Sequence, residues 1–303
     1  MPGQLTLLDS PALWFRAFHG VPDSVRSPRD EPVNAVRGFL DLVARVVRDT
    51  RPARLVATVD LDWRPAFRVA AVPSYKLHRT LAGGAEAEPP ELAAQVDVIE
   101  QVLGALGVPV AGAQGYEADD VIGSLASREP GAVDIVTGDR DLLQLVRDDR
   151  PVRVLYAVEK MKPYAEAVVA AKYRIPGRAY AEFAILRGDP SDGLPGVKGI
   201  GDKTAAALVS RFGTIEMIIA ALDDGTQDGF PPGSRAKLEA AREYLAVGPA
   251  VTRLVCDLDL PTYDDHLPRA PLDPALLVAL SDRWGLESPL ERFLAALEVV
   301  HSG

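Results

Sequence analysis

The chain has 303 residues, of which 48% are hydrophobic and 25% charged, and its formal net charge is −10. It is long enough to bury a large core, and no apolar run approaches the roughly 20 residues of a membrane span. The N-terminus lacks the basic head of a signal peptide, and the single cysteine, Cys256, excludes an internal disulfide framework. These features predict a cytoplasmic protein of one or two packed domains, and its acidity argues against a phosphate-rich partner unless the acids surround cations.

Strand and helix patterns alternate along the first half of the chain. Short apolar or β-branched runs predict strands at 5–9, 54–60, 133–139 and 152–156. Helical spacing predicts helices at 34–49 and 91–107, and Gly, Pro and acids predict a loop at 81–91. Helices dominate after about residue 160, apart from a weak strand pattern at 251–260. The alternation indicates an α/β fold with a central, mostly parallel sheet flanked by helices.

Acidic residues follow three of the predicted strands. Asp9 closes the first strand, Asp60 closes the second, and Asp139 and Asp141 follow the third. The carboxyl ends of parallel strands form the ligand-binding edge of an open sheet. A lone Asp at a strand end is usually a turn former or helix cap, but a converging set would repel without cations. Hard oxygen ligands favour Mg²⁺ or Mn²⁺ over zinc.

A further cluster of acids lies in GYEADDVIG, residues 115–123, where Glu117, Asp119 and Asp120 come within four positions. An acid at a helix start can cap backbone N–H groups and is favoured by the helix dipole. That explanation accounts for one or two acids. A third adds repulsion, so we interpret the cluster as a helix start that presents carboxylates to metal ions.

A second acidic pair, Asp189 and Asp192, precedes a glycine-rich hairpin and an alanine-rich helix. Such a hairpin presents backbone N–H groups at a helix start, where a phosphate binds readily. The alternative is a tight helical corner whose glycines only permit packing. The residues expected to meet such a phosphate are Gly196, Lys198, Gly199, Gly201 and Lys203.

Six segments, taken together and in order, resemble the bacterial 5′-nuclease family, whose members are flap endonucleases and 5′–3′ exonucleases that stand alone or form the N-terminal part of DNA polymerase I. The segments are LLDSPALWFRAFH (7–19), NAVRGF (34–39), PSYKLHR (73–79), YEADDVIG (116–123), TGDRDLLQLV (137–146) and GDPSDGLPGVKGIGDKTA (188–205). The resemblance covers most of the chain. It implies a PIN-like nuclease core over 1–175 with a helical arch at about 62–95, and a helical DNA-binding region over 176–303 with a helix-hairpin-helix motif at 196–201.

The resemblance also implies roles for individual residues. Two or more divalent ions, Mg²⁺ or Mn²⁺, would be held by Asp9, Asp60, Glu117, Asp119, Asp120, Asp139, Asp141, Asp189 and Asp192. Lys76 and Arg79, three apart on a helix, would face the scissile phosphate, Tyr75 would stack on a base, and Arg68 matches a basic position before the arch. The hairpin would bind duplex DNA with the help of a monovalent ion, typically K⁺. Asp62 competes with Asp60 as a ligand, and Asp60 is preferred because it directly ends the apolar run.

The predicted reaction is hydrolysis of a DNA phosphodiester bond between two cations. The expected protein is a monomer that acts on DNA with a 5′ end, flap, nick or gap, in replication and repair and in functional association with a DNA polymerase. Two other functions remain open: a catalytically idle DNA-binding module, and a metal-dependent RNase or phosphatase on a related scaffold. The motifs do not distinguish an exonuclease from a flap endonuclease.

Overall fold

The computed structural model describes residues 3–81 and 89–302 and contains one six-stranded sheet. The strands are β1 Leu5–Asp9, β2 Arg54–Thr58, β3 Val110–Ala111, β4 Val133–Thr137, β5 Val152–Tyr156 and β6 Lys162–Tyr164. Their spatial order is β3-β2-β1-β4-β5-β6. The first five are mutually parallel, and β6 pairs antiparallel with β5 at the edge. The predicted α/β class with a mostly parallel sheet is therefore confirmed.

Helices cover both faces of the sheet. In the first half they are α1 Ser10–Gly20, α2 Asn34–Thr50, α3 Ala66–Ala71, α4 Pro90–Leu106 and α5 Ala118–Arg128. In the second half they are α6 Glu166–Tyr173, α7 Tyr180–Arg187, α8 Asp202–Phe212, α9 Ile215–Asp223, α10 Ser234–Ala240, α11 Arg242–Thr252, α12 Pro274–Trp284 and α13 Glu287–His301. No single described helix is both long and apolar enough to cross a membrane; α8 and α9 meet that test only as a pair bent by 79°.

The central strand divides the apolar core into two layers. Every residue of β1 is buried, and its side chains alternate between the two faces. Leu7 packs with α5, α7 and α8, whereas Leu8 packs with α1, α2 and α4. The last two helices, α12 and α13, pack against α4 and α2, on the same side as Leu8. The C-terminal end of the chain therefore returns to the sheet layer, and the predicted division near residue 175 stays a prediction.

The predicted strand at 251–260 is wrong. α11 continues to Thr252, and residues 253–260 have no regular structure. Their backbone binds side chains instead of a neighbouring strand: the Gln144 side chain accepts a hydrogen bond from Leu254 N at 3.1 Å, and Asp120 accepts one from Val255 N at 2.9 Å. Strands β3 and β6 were not predicted because one has two residues and the other three.

The predicted loop at 81–91 and the predicted arch at about 62–95 both include residues 82–88, which lie outside the described residues. Before this gap, the described part of the arch consists of α3 and a single 3₁₀ turn, Leu77–Arg79. After it, α4 begins at Pro90, so the last two residues of the predicted loop are helical.

Candidate active site

An open cavity of about 1050 Å³ lies beyond the carboxyl ends of β1, β2 and β4. Five of the predicted carboxylates line it together with Lys76 and Arg79. These acids are Asp9, Asp60, Glu117, Asp119 and Asp139. The parallel strands explain the convergence, because each strand delivers its acid to the same edge of the sheet.

Local hydrogen bonds orient the acids that follow the strands. The Thr137 hydroxyl donates to Asp9, which also accepts from Ala12 N at 3.3 Å and so caps α1. Asp60 accepts from Ala118 N at 2.7 Å, at the start of α5. Asp60, rather than Asp62, lines the cavity. Asp62 instead accepts a hydrogen bond from Arg64 N in its own turn, at 3.2 Å.

Three of the cavity acids, Asp9, Asp60 and Asp119, hold protons tightly because they are buried and close to other acids. Burial raises the pKa of Asp9 to about 7, with the charges of Asp139 and Asp60 adding to the effect and the Thr137 hydrogen bond opposing it. Burial and the charges of Asp9 and Asp139 raise the pKa of Asp119 well above its ordinary value. Burial likewise raises the pKa of Asp60, and Lys76 partly offsets the effect. A compensating positive charge would therefore be strongly attracted to the cavity.

Three of the other four predicted ligands form a group next to Asp139. Burial and the charges of Asp139, Asp192 and Asp189 raise the pKa of Asp141 well above its ordinary value. Its buried Oδ1 atom has no hydrogen-bond partner among the described residues. Burial raises the pKa of Asp192 to about 6. Asp189 is held by Ser191 N at 2.9 Å and by Arg187 at 3.2 Å.

Glu117 joins this edge of the sheet to the segment that carries Lys76. Its carboxylate accepts hydrogen bonds from Lys76, from Arg68 and, at 2.7 Å, from the Tyr75 hydroxyl. Burial lowers the pKa of the Lys76 ammonium, but the charges of Glu117, Tyr75, Asp192 and Asp60 together raise it more, so this pKa ends well above its ordinary value. Lys76 is therefore a permanent cation on the wall of the cavity.

Lys76 and Arg79 do not share a helix face. Lys76 has a left-handed backbone, with φ 48°, and precedes the 3₁₀ turn that contains Arg79. The two side chains diverge: Lys76 reaches Glu117, and Arg79 binds the Ser191 carbonyl at 2.6 Å and Asp192 at 3.2 Å. The prediction based on helical spacing is therefore wrong, although both residues line the cavity.

Three predicted site residues, Asp120, Arg68 and Tyr75, are buried and have hydrogen-bond partners within the protein. Asp120 is fully buried; its oxygens accept from Arg68 at 2.7 and 2.9 Å and from Val255 N, and it completes the capping box of α5 with Glu117. Arg68 is 2% exposed and Tyr75 is 3% exposed. Neither side chain is accessible for a phosphate contact or for stacking on a base. Helix capping, the simpler explanation of the acidic cluster, is correct for Asp120.

The oxygen-rich donor set fits hard divalent ions in its chemistry. The unpartnered Asp141 oxygen and the mutually raised pKa values fit them as well. Within residues 3–81 and 89–302, however, no three His, Cys, Asp or Glu side chains come close enough together to enclose an ion as they stand. The reason is that several of the acids have separate partners: Thr137 for Asp9, Lys76 for Glu117, and Arg79 for Asp192.

The hairpin joins α7 to α8. Val197 and Ile200 are buried, and Val197 N donates to the Leu186 carbonyl at 2.9 Å, so that Lys198 and Gly199 face solvent. Gly201 precedes α8, which has no side-chain cap at its start. Lys203 is also exposed.

The glycines of the hairpin differ in what surrounds them. Gly196 has φ 64°, and a Cβ there would lie 2.4 Å from Gly188 N. Its small size is therefore needed for packing, as the alternative interpretation proposed. Gly199 has φ 80° and is covered by the end of the Lys237 side chain. A Cβ on Gly201 would meet nothing within 4 Å, so the space beside it is open to a ligand.

The sequence analysis missed the wall contributed by α1. Phe15, Arg16 and His19 line the cavity, and the Phe15 side chain is 50% exposed. They follow Asp9 at distances of six to ten residues, so the helix that Asp9 caps carries them past the carboxylates. The sequence signal for this wall is the spacing of three to four residues that relates Ala12 to Phe15, Arg16 and His19, because this spacing places side chains on one face of a helix. Trp63, from the loop after β2, lines the same cavity.

Two family descriptions match the chain in sequence. Residues 4–174 match the "5'-3' exonuclease, N-terminal resolvase-like domain", and residues 175–275 match the "5'-3' exonuclease, C-terminal SAM fold". The chain belongs to the 5′–3′ exonuclease family. It is a nuclease, as predicted, and its resemblance to the bacterial 5′-nucleases is confirmed.

Two relatives of similar length are named as 5′-3′ exonucleases. A 5′-3′ exonuclease of Streptomyces coelicolor is 52% identical over 96% of this chain and 99% of its own length. One from Mycobacterium tuberculosis is 47% identical over 99% of both chains. DNA polymerase I of Mycobacterium bovis is 40% identical over 72% of this chain but only 24% of its own length. The T5 D15 protein, co-crystallised with metal ions, shares the fold with a TM-score of 0.64 at 18% identity, over 98% of this chain and 99% of its own.

Proposed function

We propose that this 5′ nuclease hydrolyses phosphodiester bonds in DNA that carries a 5′ end, flap, nick or gap, and that it requires two or more Mg²⁺ or Mn²⁺ ions. The observation that carries the proposal is the set of five carboxylates on one cavity wall with Lys76 and Arg79 beside them. The bound ions would supply an activated water and charge stabilisation at the phosphate.

We assign metal binding to Asp9, Asp60, Glu117, Asp119 and Asp139 in the cavity, with Asp141, Asp189 and Asp192 as the adjoining group. The raised pKa values of Asp9 and Asp192 support this assignment, because carboxylates crowded in a buried site favour any added positive charge. Lys76 would place its permanent charge against the phosphate oxygens once DNA competes for its ammonium. Arg79, whose side chain is more exposed than that of Lys76, would contact the same phosphate region.

DNA capture is assigned to the hairpin and the start of α8. Gly201 leaves open space, α8 has uncapped N–H groups, and Lys198 and Lys203 are exposed beside them. A phosphate of the duplex backbone fits this combination of donors and charge. The relatives that are polymerases support a functional association with DNA synthesis, which we propose takes place in the cytoplasm.

The test uses 5′-end-labelled flapped, nicked and gapped DNA duplexes, their RNA counterparts and a small phosphate ester. We expect cleavage of the DNA substrates in Mg²⁺ or Mn²⁺ and none in excess chelator. Product lengths distinguish release of single nucleotides from removal of whole flaps. Full activity in chelator would exclude the metal mechanism, and equal cleavage of the small ester would indicate a general phosphatase.

A further inference from the structure

Arg68 is the largest fully buried side chain in the described part of the chain, and no catalytic role requires its burial. Its guanidinium donates to Asp120 at 2.7 and 2.9 Å, to Glu117, and through Nε to the Val251 carbonyl at 3.0 Å. All three nitrogens therefore have acceptors. A planar guanidinium can satisfy acceptors in several fixed directions at once, which a lysine ammonium on a flexible stem cannot reproduce.

The partners of Arg68 belong to three separate parts of the fold. Arg68 itself lies in α3, at the start of the segment that leads to Lys76; Glu117 and Asp120 begin α5; and Val251 ends α11. We call residues 251–258, which leave α11 and cross α5, the strap. The strap is held by Gln144, which donates to the Thr252 carbonyl at 3.2 Å, and by Ser124, whose hydroxyl accepts from Leu258 N at 3.1 Å.

We infer that Arg68 is a positioning residue that acts through Glu117 and Asp120. It sets the Lys76 segment and the strap in one fixed relation to the cavity carboxylates. Helix α7, which leads into the hairpin, packs against α11, which ends in the strap, so DNA gripped by the hairpin would be presented to the cavity in a defined position. The catalytic consequence of this inference rests on the proposed function. The hydrogen bonds of Arg68 to Glu117, Asp120 and Val251 do not depend on that function.

A charge argument supports the same role. Glu117 and Asp120 are both buried, and two buried carboxylates at one helix start are unfavourable without a cation. Arg68 compensates both, while Glu117 still accepts from Lys76 and Tyr75. Loss of the guanidinium would leave Asp120 buried without a cation and Glu117 with Lys76 alone, and the link from α3 to the start of α5 would be lost.

The chain offers a matched control at the other end of α5. Arg54 is partly buried and bridges two carboxylates, Glu129 at 2.5 Å and Asp265 at 2.7 Å. Glu129 caps the C-terminal end of α5, far along the helix from Asp120. Substitution of Arg54 therefore removes a comparable bridge without touching the cavity.

The experiment compares Arg68→Met, Arg68→Lys and Arg54→Met at a temperature where all are folded. We expect Arg68→Met to lower single-turnover cleavage at saturating DNA by about 100-fold, because a small misplacement of reacting groups costs that much. Affinity for uncut DNA should stay within about threefold of wild type, and its salt dependence should not change. Arg68→Lys should recover only part of the rate, and Arg54→Met should cleave at the wild-type rate.

Hydrogen exchange supplies a readout that does not depend on activity. Exchange should increase in the 64–81 segment and in the strap for Arg68→Met, and not for Arg54→Met. If Arg68→Met is unstable, the double variant Arg68→Met with Asp120→Asn removes the uncompensated charge and should regain stability without regaining the cleavage rate.

A wild-type cleavage rate and wild-type hydrogen exchange in a folded Arg68→Met variant would overturn the inference. Weaker binding with a shallower salt dependence and a normal saturated rate would also overturn it, in favour of a direct phosphate contact. If the wild-type protein cuts no DNA, the proposed function fails. The hydrogen-exchange comparison still tests whether Arg68 holds the 64–81 segment and the strap in place.

Discussion

The two aspartates at 119 and 120 are neighbours in sequence but have opposite surroundings. Asp119 lines the cavity, where burial and the charges of other acids raise its pKa. Asp120 points the other way, is fully buried and has Arg68 and two backbone N–H groups as partners. One residue of rotation along a helix, about 100°, is enough to separate a site residue from a structural one.

This difference predicts distinct effects for substitution of a cavity acid and for substitution of the buried Asp120. Asp139→Asn should lower cleavage by more than about 100-fold with a normal thermal melt, since even outer partners of metal ligands are worth 10–100-fold. Asp120→Asn should instead lower the free energy of unfolding by about 2–4 kcal/mol, because Arg68 loses a charged, buried partner. Thermal melts and single-turnover rates of both variants provide the measurement. A normal melt for Asp120→Asn would mean that its contacts to Arg68 contribute little.

A substitution of Lys76 distinguishes an effect on the cleavage step from an effect on DNA binding. Its ammonium is held by Glu117 at the cavity wall, so it is placed for the phosphate and not for the distant duplex. Lys76→Met should lower the saturated cleavage rate by about 100-fold or more while uncut DNA binds within about threefold of wild type. Equilibrium binding and single-turnover kinetics measure the two effects. A wild-type rate at saturation would leave catalysis to the carboxylates and their ions.

At the scale of elements, the hairpin shows why glycine spacing alone does not identify contact residues. The backbone of Gly196 packs against Arg187 and Gly188, whereas Gly201 faces open space. The sequence pattern predicted both as DNA contacts because it reports small size and not its reason. Only packing distances distinguish a glycine needed inside the fold from one needed by a ligand.

The two glycines therefore form a matched pair for mutation. Gly196→Ala should lower the free energy of unfolding by about 2 kcal/mol or more, because of its positive φ and the collision with Gly188. Gly201→Val should leave most of the stability intact and weaken duplex binding by about tenfold, which corresponds to about 1.4 kcal/mol. Binding isotherms on a long duplex, with melts alongside, test this. Unchanged affinity for Gly201→Val would return the hairpin to a purely structural role.

Lys203, in the first turn of α8, tests the electrostatic part of the same surface. It is exposed, so its removal should not disturb the core. Lys203→Ala should weaken DNA binding and reduce the slope of log affinity against log salt by about 1, because one fewer counterion is released. Cleavage at saturating DNA should remain close to the wild-type rate. Lys162→Ala, on the edge strand β6, is the control, and an equal change there would indicate a general charge effect.

On the scale of the whole molecule, the sequence predicted the sheet well because its strands are buried and end in acids. The runs at 5–9 and 152–156 coincide with β1 and β5. The burial of individual polar side chains could not be predicted from the local sequence, because it depends on distant parts of the chain. The family resemblance implied DNA contacts for Arg68 and Tyr75, yet α5 and α11 enclose Arg68, and Glu117 accepts from the Tyr75 hydroxyl. The strap was predicted as a strand because its apolar alternation serves packing on α5.

The buried and crowded carboxylates of the cavity make the stability of the whole molecule depend on pH. Burial raises the pKa of Asp9 from 3.8 to about 7. The folded state therefore binds this proton more tightly than the unfolded state does. The resulting stability is complete below the unfolded pKa, and it is lost as the pH rises through the folded one. Since one pKa unit corresponds to about 1.4 kcal/mol, the shift of Asp9 alone corresponds to about 4 kcal/mol at most.

We therefore expect the melting temperature in chelator to fall as the pH rises from 5 to 8, and Asp9→Asn to flatten this dependence. Added Mg²⁺ or Mn²⁺ should reverse the fall at pH 8, because ionised carboxylates bind the ions and ligands of the folded state stabilise it. Ca²⁺ and a matched concentration of Na⁺ serve as controls for size and ionic strength. A thermal shift series over pH, with and without ions, measures all of these effects. If Asp9→Asn keeps the full pH dependence, the destabilising charge lies elsewhere; if Mn²⁺ leaves the melting temperature unchanged at pH 8, the cavity acids are not metal ligands.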